Sequence, residues 1–298
     1  MGLVALVGAG LVGAGVVATP AAASPTATPD RAADRTSVVA AFFPLVEAAE
    51  RVGGRHVTVA NLTPPGVEPH DLELTTDDVD EILDADLAIV MGDGFQPAVE
   101  ASADDRDGPT LVVLDEVGHR RRPDDPHLWL DPVRYRAIVA AVADALAHAD
   151  PEHAPAYRAN AARFDARLAA LDREYSAGLA DCESRTVVTA HDAFGWLAAR
   201  YGLHQLGVAG IDPESEPSPA RIADLADLAE RRGVTTVFTE ELVSPRVART
   251  LAREAGGLRT AVLDPLEGLG DERRAAGADY LSVMERNLRR LRAALRCA

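Results

Sequence analysis

The chain has 298 residues, 47% of them hydrophobic and 26% charged, a composition that excludes a disordered protein and leaves room for one large domain or two smaller ones. With 30 basic against 47 acidic residues the formal net charge is −17, which argues against nucleic acid as a partner and makes a cation the natural ligand. Every basic residue is Arg, so no Lys is present to serve nucleotide phosphates or to form a Schiff base, and two Cys, Cys182 and Cys297, are too few for a disulfide scaffold or a four-Cys zinc site.

Residues 1–19 are almost without polarity and run into Pro20, Ala21, Ala22 and Ala23, which reads as the apolar core and A-x-A cleavage site of a signal peptide over 1–23, without the usual positive n-region. Gly8, Gly10 and Gly13 satisfy G-x-G-x-x-G, but a dinucleotide fingerprint opens a βαβ unit. Here the chain instead enters a Pro-, Ala-, Ser- and Thr-rich stretch, read as a disordered linker over 24–36. No other apolar run reaches the roughly 18 residues of a membrane span. No Cys stands beside the cleavage site to carry a lipid, so the expected location is the periplasm or the cell exterior, associated with the surface.

From residue 38 short apolar runs alternate with amphipathic ones. Runs 38–43, 57–62, 87–91 and 110–114 have the length and β-branched content of buried parallel strands, and the stretches beginning at Pro44, Thr75 and Gln96 read as helices; Thr75 to Asp78 offers a T-x-x-D start. Residues 132–179 carry helical spacing, broken around Asp150 and Pro151. A second series follows, with strands at 186–189, 206–209, 235–239 and 260–263 and helices at 193–200, 219–232, 245–255 and 275–295. The fold expected is α/β: two Rossmann-like parallel-sheet lobes, 37–131 and 181–298, joined by a helical connector over 132–180, with a cleft beyond the carboxyl ends of their strands.

Three of the eight His stand where the chain leaves or approaches an apolar run: His70 in PPGVEPHD, His127 in DPHLWLDP and His191 in VVTAHDAFGW. Neutral imidazole is the commonest zinc ligand, and three leave one tetrahedral position open; Asp264 in VLDPL occupies the same kind of position after the last strand and is the candidate fourth ligand. Singly, each His is more often a packed polar residue and Asp264 equally a cap, and no local zinc motif such as H-E-x-x-H is present.

The strings FPLVEAAERVGG, LTPPGVEPHDLELTTDDV, ADLAIVMGDGFQ, HLWLDP, TAHDAFGWLAARYGL, GIDPESEPSPARIADL and TEELVSPRVARTLARE occur in that order, and together they resemble the metal-binding subunits of ABC importers for zinc and manganese. The resemblance implies one cation held between two lobes by His70, His127, His191 and Asp264, delivery to an importer permease, and no catalysis; the chain is expected to act as a monomer. His at the third position is similar to the zinc binders of the family, where manganese binders tend to carry Glu, in keeping with the preference of imidazole for zinc. Manganese or iron(II) is the alternative cargo, and a zinc-dependent hydrolase with Glu240 or Glu241 as base is the alternative of another class.

Two features depart from the family. The region that is a long His-rich loop in many zinc-importing relatives is EVGHRRRPDDPH here, where His119, Asp124 and Asp125 form at most a weak accessory site, and no lipobox is present. Glu240, Asp131 and Asp192 are candidates to orient a ligand His, although Asp131 before Pro132 is equally a helix cap. Trp129 and Trp196 read as packing that walls off the cleft, and Cys182 and Cys297 as a possible disulfide.

Overall fold

The computed structural model describes residues 1–6, 35–118, 122 and 124–298. The expected cleavage site, residues 24–34 of the linker, Gly8, Gly10, Gly13 and His119 lie outside them.

The first lobe is built from β1 (Thr36–Ala40), α1 (Phe43–Gly53), β2 (Val57–Asn61), α2 (Thr76–Asp84), β3 (Leu87–Val90), α3 (Pro97–Asp104), β4 (Thr110–Val112) and the short α4 (Val113–Val117). Its four strands are parallel in the order β2-β1-β3-β4. Helix α2 begins as its T-x-x-D signature requires: the Thr75 hydroxyl accepts from the Asp78 N–H, and the Asp78 carboxylate accepts from the Thr75 N–H. The apolar runs at 38–43 and 110–114 read as longer strands than they are. Phe43 and Val113 are buried in the first turns of α1 and α4, because a core-facing helix start has the same apolar composition as a strand.

The second lobe repeats the plan with β5 (Thr186–Thr189), α7 (Gly195–Tyr201), β6 (His204–Gly207), α8 (Pro219–Arg231), β7 (Thr236–Thr239), α9 (Arg246–Glu254), β8 (Arg259–Val262), α10 (Asp271–Ala275) and α11 (Tyr280–Leu295). Its order, β6-β5-β7-β8, reproduces the first sheet position by position. The helix expected over 275–295 begins only at Tyr280, because the Asp279 side chain caps its start: it accepts from the Ser282 N–H while the Ser282 hydroxyl accepts from the Asp279 N–H.

Between the lobes, the connector is α5 (Pro132–Ala149) and α6 (Ala154–Gly178), broken around Asp150 and Pro151 as expected and folded so that the two helices pack on one another. Their elbow is fastened by Asp150, whose carboxylate accepts from the Tyr157 hydroxyl at 2.5 Å, from His153 Nδ1 at 2.7 Å and from the Thr36 hydroxyl at 3.1 Å. One continuous apolar core runs from both faces of the first sheet through α5 and α6 to Phe238, Leu263 and Tyr280 of the second lobe, while Val188, Val237, Leu225 and Leu251 form a separate cluster on its far side. The two sheets therefore share a core through the connector and do not hang on a flexible linker. Arg51 with Asp279 at 2.7 Å and Arg274 with Glu50 at 2.8 Å tie the lobes again at the surface.

Cys182 and Cys297 are disulfide-bonded across a two-residue antiparallel bridge, joining the entrance of the second lobe to the end of α11, 115 residues apart. Closing a loop of that size stabilises by up to about 5 kcal/mol in the chain-entropy description. Replacing both Cys by Ser is expected to lower the unfolding free energy measured in urea by up to that amount, with no change in the metal affinity of the folded protein.

Candidate metal centre

The groups that converge on the cleft all leave from the carboxyl ends of strands or from the loops that follow them. His70 lies in the loop after β2, His127 precedes the 3-10 turn Leu128–Leu130 that leads into α5, His191 follows β5, and Glu267 lies five residues after β8. Each lobe supplies two. One donor atom from each of the four lies within 4.8 Å of all the others. Glu267 Oε1 is 3.2 Å from both His127 Nε2 and His191 Nε2 and 3.6 Å from His70 Nε2, and the two Nε2 atoms of His127 and His191 are 3.4 Å apart. A tetrahedral ion about 2.0–2.1 Å from each donor requires donor separations of about 3.3 Å. The arrangement has the size of a zinc coordination sphere.

The burial is deep, with His127 and His191 fully buried and Glu267 1% exposed, while the His70 side chain retains 11%. His70 Nε2, Glu267 Oε2 and Glu68 Oε1 are all buried there with no hydrogen-bond partner. Orphaned polar atoms in a dry site are costly unless something binds them, and a cation among the four donors would satisfy His70 Nε2.

The other nitrogens of two of the rings are committed. His191 Nδ1 donates to the Glu240 carboxylate, 2.8 and 2.9 Å from its two oxygens, and His127 Nδ1 donates to Asp125 Oδ1 at 2.9 Å. These bonds hold the rings with Nε2 facing the cleft, as carboxylates do for metal-ligating His elsewhere. His70 has no such partner, and its ring packs edge-on against Phe95 at 4.5 Å.

Electrostatics follows from this crowding. Burial works to lower the pKa of His191, but the Glu267 and Glu240 carboxylates outweigh it and raise that pKa well above the usual imidazole value; at His127, burial is likewise overcome by Asp125 and Glu267. Burial would push Glu267 up, yet the imidazoles of His191, His127 and His70 hold it well below the carboxylate range. Glu68, buried beside the Glu267 charge, is pushed up to about 8.

The structure brings His70, His127 and His191 together but not Asp264. Asp264 Oδ2 accepts from Arg273 at 2.8 Å and Oδ1 accepts from the Leu266 N–H at 2.9 Å, so its carboxylate is spent on shaping the turn that presents Glu267. That turn includes Leu266 at φ 61°, a left-handed conformation unusual for a side chain of its kind. Reading the first carboxylate after the strand stops three residues early; the signal for Glu267 is a second carboxylate, flanked by Leu266 and Gly268, in the otherwise apolar stretch LDPLEGLG.

Asp131 is likewise not an orienting residue: it caps α5, accepting from the Val133 N–H at 2.9 Å, and faces Arg200 at 3.4 Å, while the part foreseen for it falls to Asp125. Asp192 accepts from the Gly207 N–H. Glu240 does meet its ligand His, and Glu241 pairs with Arg273. The indoles of Trp129 and Trp196 do more than wall the cleft, since both donate hydrogen bonds and Arg134 lies 4.8 Å over the Trp196 ring.

Comparison with known proteins agrees with this architecture. Residues 38–294 match the family model of the periplasmic component A of the zinc-uptake complex, ZnuA. The high-affinity zinc uptake system protein ZnuA of Bacillus subtilis is 34% identical over 290 residues, covering 89% of each chain. The zinc-binding protein AdcA of Streptococcus pyogenes is 35% identical over 88% of this chain, which spans only 56% of that longer relative. The crystal structure of the Zn(II)-bound ZnuA-like domain of Streptococcus pneumoniae AdcA superposes with a TM-score of 0.76 at 34% identity, over 88% of this chain and 99% of that one. The chain belongs to the ZnuA family of zinc-uptake binding components.

Proposed function

We propose that this protein is an extracytoplasmic solute-binding protein that captures one zinc ion between its lobes, through His70, His127, His191 and Glu267, and delivers it to the permease of an ABC importer. The observation that carries this reading is the buried four-donor cluster with its orphaned oxygen and nitrogen atoms. Family membership supports the transport role and the extracytoplasmic location. Zinc is the cargo and not a cofactor, and the residues do no chemistry beyond binding it.

The donor set favours zinc over manganese or iron(II), because three imidazoles and one carboxylate suit a borderline-soft ion and the harder ions prefer more oxygen. The hydrolase reading loses its parts: Glu267 takes the coordination position a reactive water needs, Glu240 is engaged at both oxygens by His191, and Glu241 is paired with Arg273. The direct test is elemental analysis of the protein purified from its native compartment, with zinc titration of the stripped form. One equivalent of zinc upholds the reading, and manganese or iron in its place overturns the choice of cargo.

Two further outcomes follow. Glu267→Ala is expected to weaken zinc binding by more than about 100-fold, beyond the usual range for residues outside the coordination shell, whereas Asp264→Asn, which keeps an oxygen for the Leu266 N–H, is expected to cost far less; chelator competition reads both, and the reverse order would restore Asp264 as the ligand. Protons and metal compete for the same nitrogen lone pairs. Raised His191 and His127 pKa values mean that the metal-free protein still holds protons there above about pH 6.5, the ordinary imidazole value. Folded imidazoles with raised pKa stabilise the metal-free form below about pH 6.5, and that contribution fades as pH rises through the folded values. Zinc affinity should therefore keep climbing above pH 6.5, and the rise in melting temperature on adding zinc should be small at pH 5.5 and large at pH 8; a shift independent of pH would contradict this.

A further inference from the structure

The two Trp of the chain make a reciprocal pair of bonds across the cleft. Trp129, two residues after His127 in the first lobe, donates its indole N–H to the Pro265 carbonyl of the second lobe at 2.7 Å. Trp196, in the first turn of α7 in the second lobe, donates to the Asp125 carbonyl of the first lobe at 2.8 Å. Each acceptor stands two residues before a donor of the metal cluster: Pro265 before Glu267, Asp125 before His127.

Both acceptor segments are ones whose local geometry decides where a donor atom points. Pro265 opens the turn in which Leu266 is held at φ 61°, and Asp125 is the residue whose side chain aims the His127 ring. The fit around Asp125 is close. A Cβ added to Gly195, which immediately precedes Trp196, would lie 2.4 Å from Asp125 Oδ2 and 2.3 Å from Arg122 Nη2, and Arg122 Nε itself donates to Asp125 Oδ2 at 3.0 Å. Trp129 is further held by the Tyr280 hydroxyl, which donates to its carbonyl at 2.6 Å, and its ring lies 5.0 Å from that of His127. A buried indole N–H needs some acceptor. Needing one does not explain why both choose backbone beside a metal donor of the opposite lobe.

We propose that Trp129 and Trp196 are positioning residues for the metal, their crossed hydrogen bonds locking the two lobes in the register at which His127 and Glu267 can share one ion. The proposal rests on the zinc-binding reading above. Each indole fixes the segment that carries the opposite lobe's donor, so loss of either bond lets that donor shift out of register within the cleft the shared core maintains, without removing a ligand.

The test is Trp129→Phe and Trp196→Phe, singly and together, since Phe keeps an aromatic ring in the site and removes the N–H donor together with part of the indole's bulk, whose loss the melting temperature reads. Zinc release to a chromophoric chelator is followed by stopped flow, the visible spectrum of the cobalt(II)-loaded protein reports coordination geometry, and the melting temperature of the metal-free form reports folding. Each substitution is expected to speed zinc release by about 10- to 100-fold, the range for outer-sphere partners of metal ligands, and to shift or weaken the tetrahedral cobalt bands. The double variant should lose less than the product of the two single effects, because either break already frees the register. Unchanged release rates and cobalt spectra in folded variants, with only a lower melting temperature, would overturn the proposal and leave the indoles a purely structural role. Should one substitution prevent folding, the other decides. Failure of the unsubstituted protein to bind zinc would overturn the function itself, a result distinct from either.

Discussion

A carboxylate buried among three imidazoles governs this molecule. Glu267 is 1% exposed and meets His127 and His191 at 3.2 Å, while Glu240 and Asp125 place two more carboxylates directly behind those rings. Taking so many acidic groups out of water is affordable only with positive charge at their centre. On the zinc-binding reading a divalent cation supplies it, and in the absence of metal, protons on His191 and His127 supply it in part. The raised imidazole pKa values and the depressed one of Glu267 are two sides of that same balance, and loading such a site would accordingly be an exchange of protons for metal.

The repetition of one topology in two lobes explains how such a site is assembled from residues nearly 200 apart in sequence. Sheets ordered β2-β1-β3-β4 and β6-β5-β7-β8 both deliver their carboxyl-end loops to the cleft, where open α/β sheets bind ligands. His191 and Glu240 come directly off β5 and β7, so strand ends place them, whereas Glu267 requires an extra turn. The Asp264 carboxylate that builds the turn is held by Arg273, and its backbone by Asn287, whose side chain both donates to the Asp264 carbonyl and accepts from its N–H. A continuous core through α5 and α6 keeps the two sets of loops at one separation.

The legible parts of the sequence were those governed by local pattern. β5 matches its apolar run residue for residue, the α2 cap follows from Thr75 and Asp78, and His191 stands just past β5, whereas His70 and His127 lie in longer loops and were singled out by their local strings. Strand ends at 38–43 and 110–114 were not legible, because a buried helix start and a buried strand have the same composition. The fourth donor was not legible for a different reason. Choosing between Asp264 and Glu267 depends on which carboxylate finds Arg273, a tertiary pairing no spacing rule contains, and on a left-handed Leu266 that propensity disfavours. Asp125 was hidden similarly: beside Asp124 it looks like part of a solvated acidic loop, and only the fold turns it inward to His127.

On the zinc-binding reading, the asymmetry among the imidazoles bears on how such a site would hold an ion tightly and still exchange it. His127 and His191 have carboxylates on Nδ1 and are fully buried, so their Nε2 atoms are preorganised and little entropy is lost when a metal arrives. His70 stands in the loop after β2, where no carboxylate among the described residues orients its ring as Asp125 and Glu240 do for His127 and His191, and its side chain keeps 11% exposure. Three fixed donors and one on a softer support give most of the affinity of a rigid tetrahedral site at a smaller cost in opening it. Since His70 Nε2 is a buried atom of that loop without a hydrogen-bond partner, a cation held there would both complete the coordination sphere and remove a buried polar defect of the loop. Metal binding and ordering of the loop thus draw on the same interactions, so neither can be strengthened without strengthening the other.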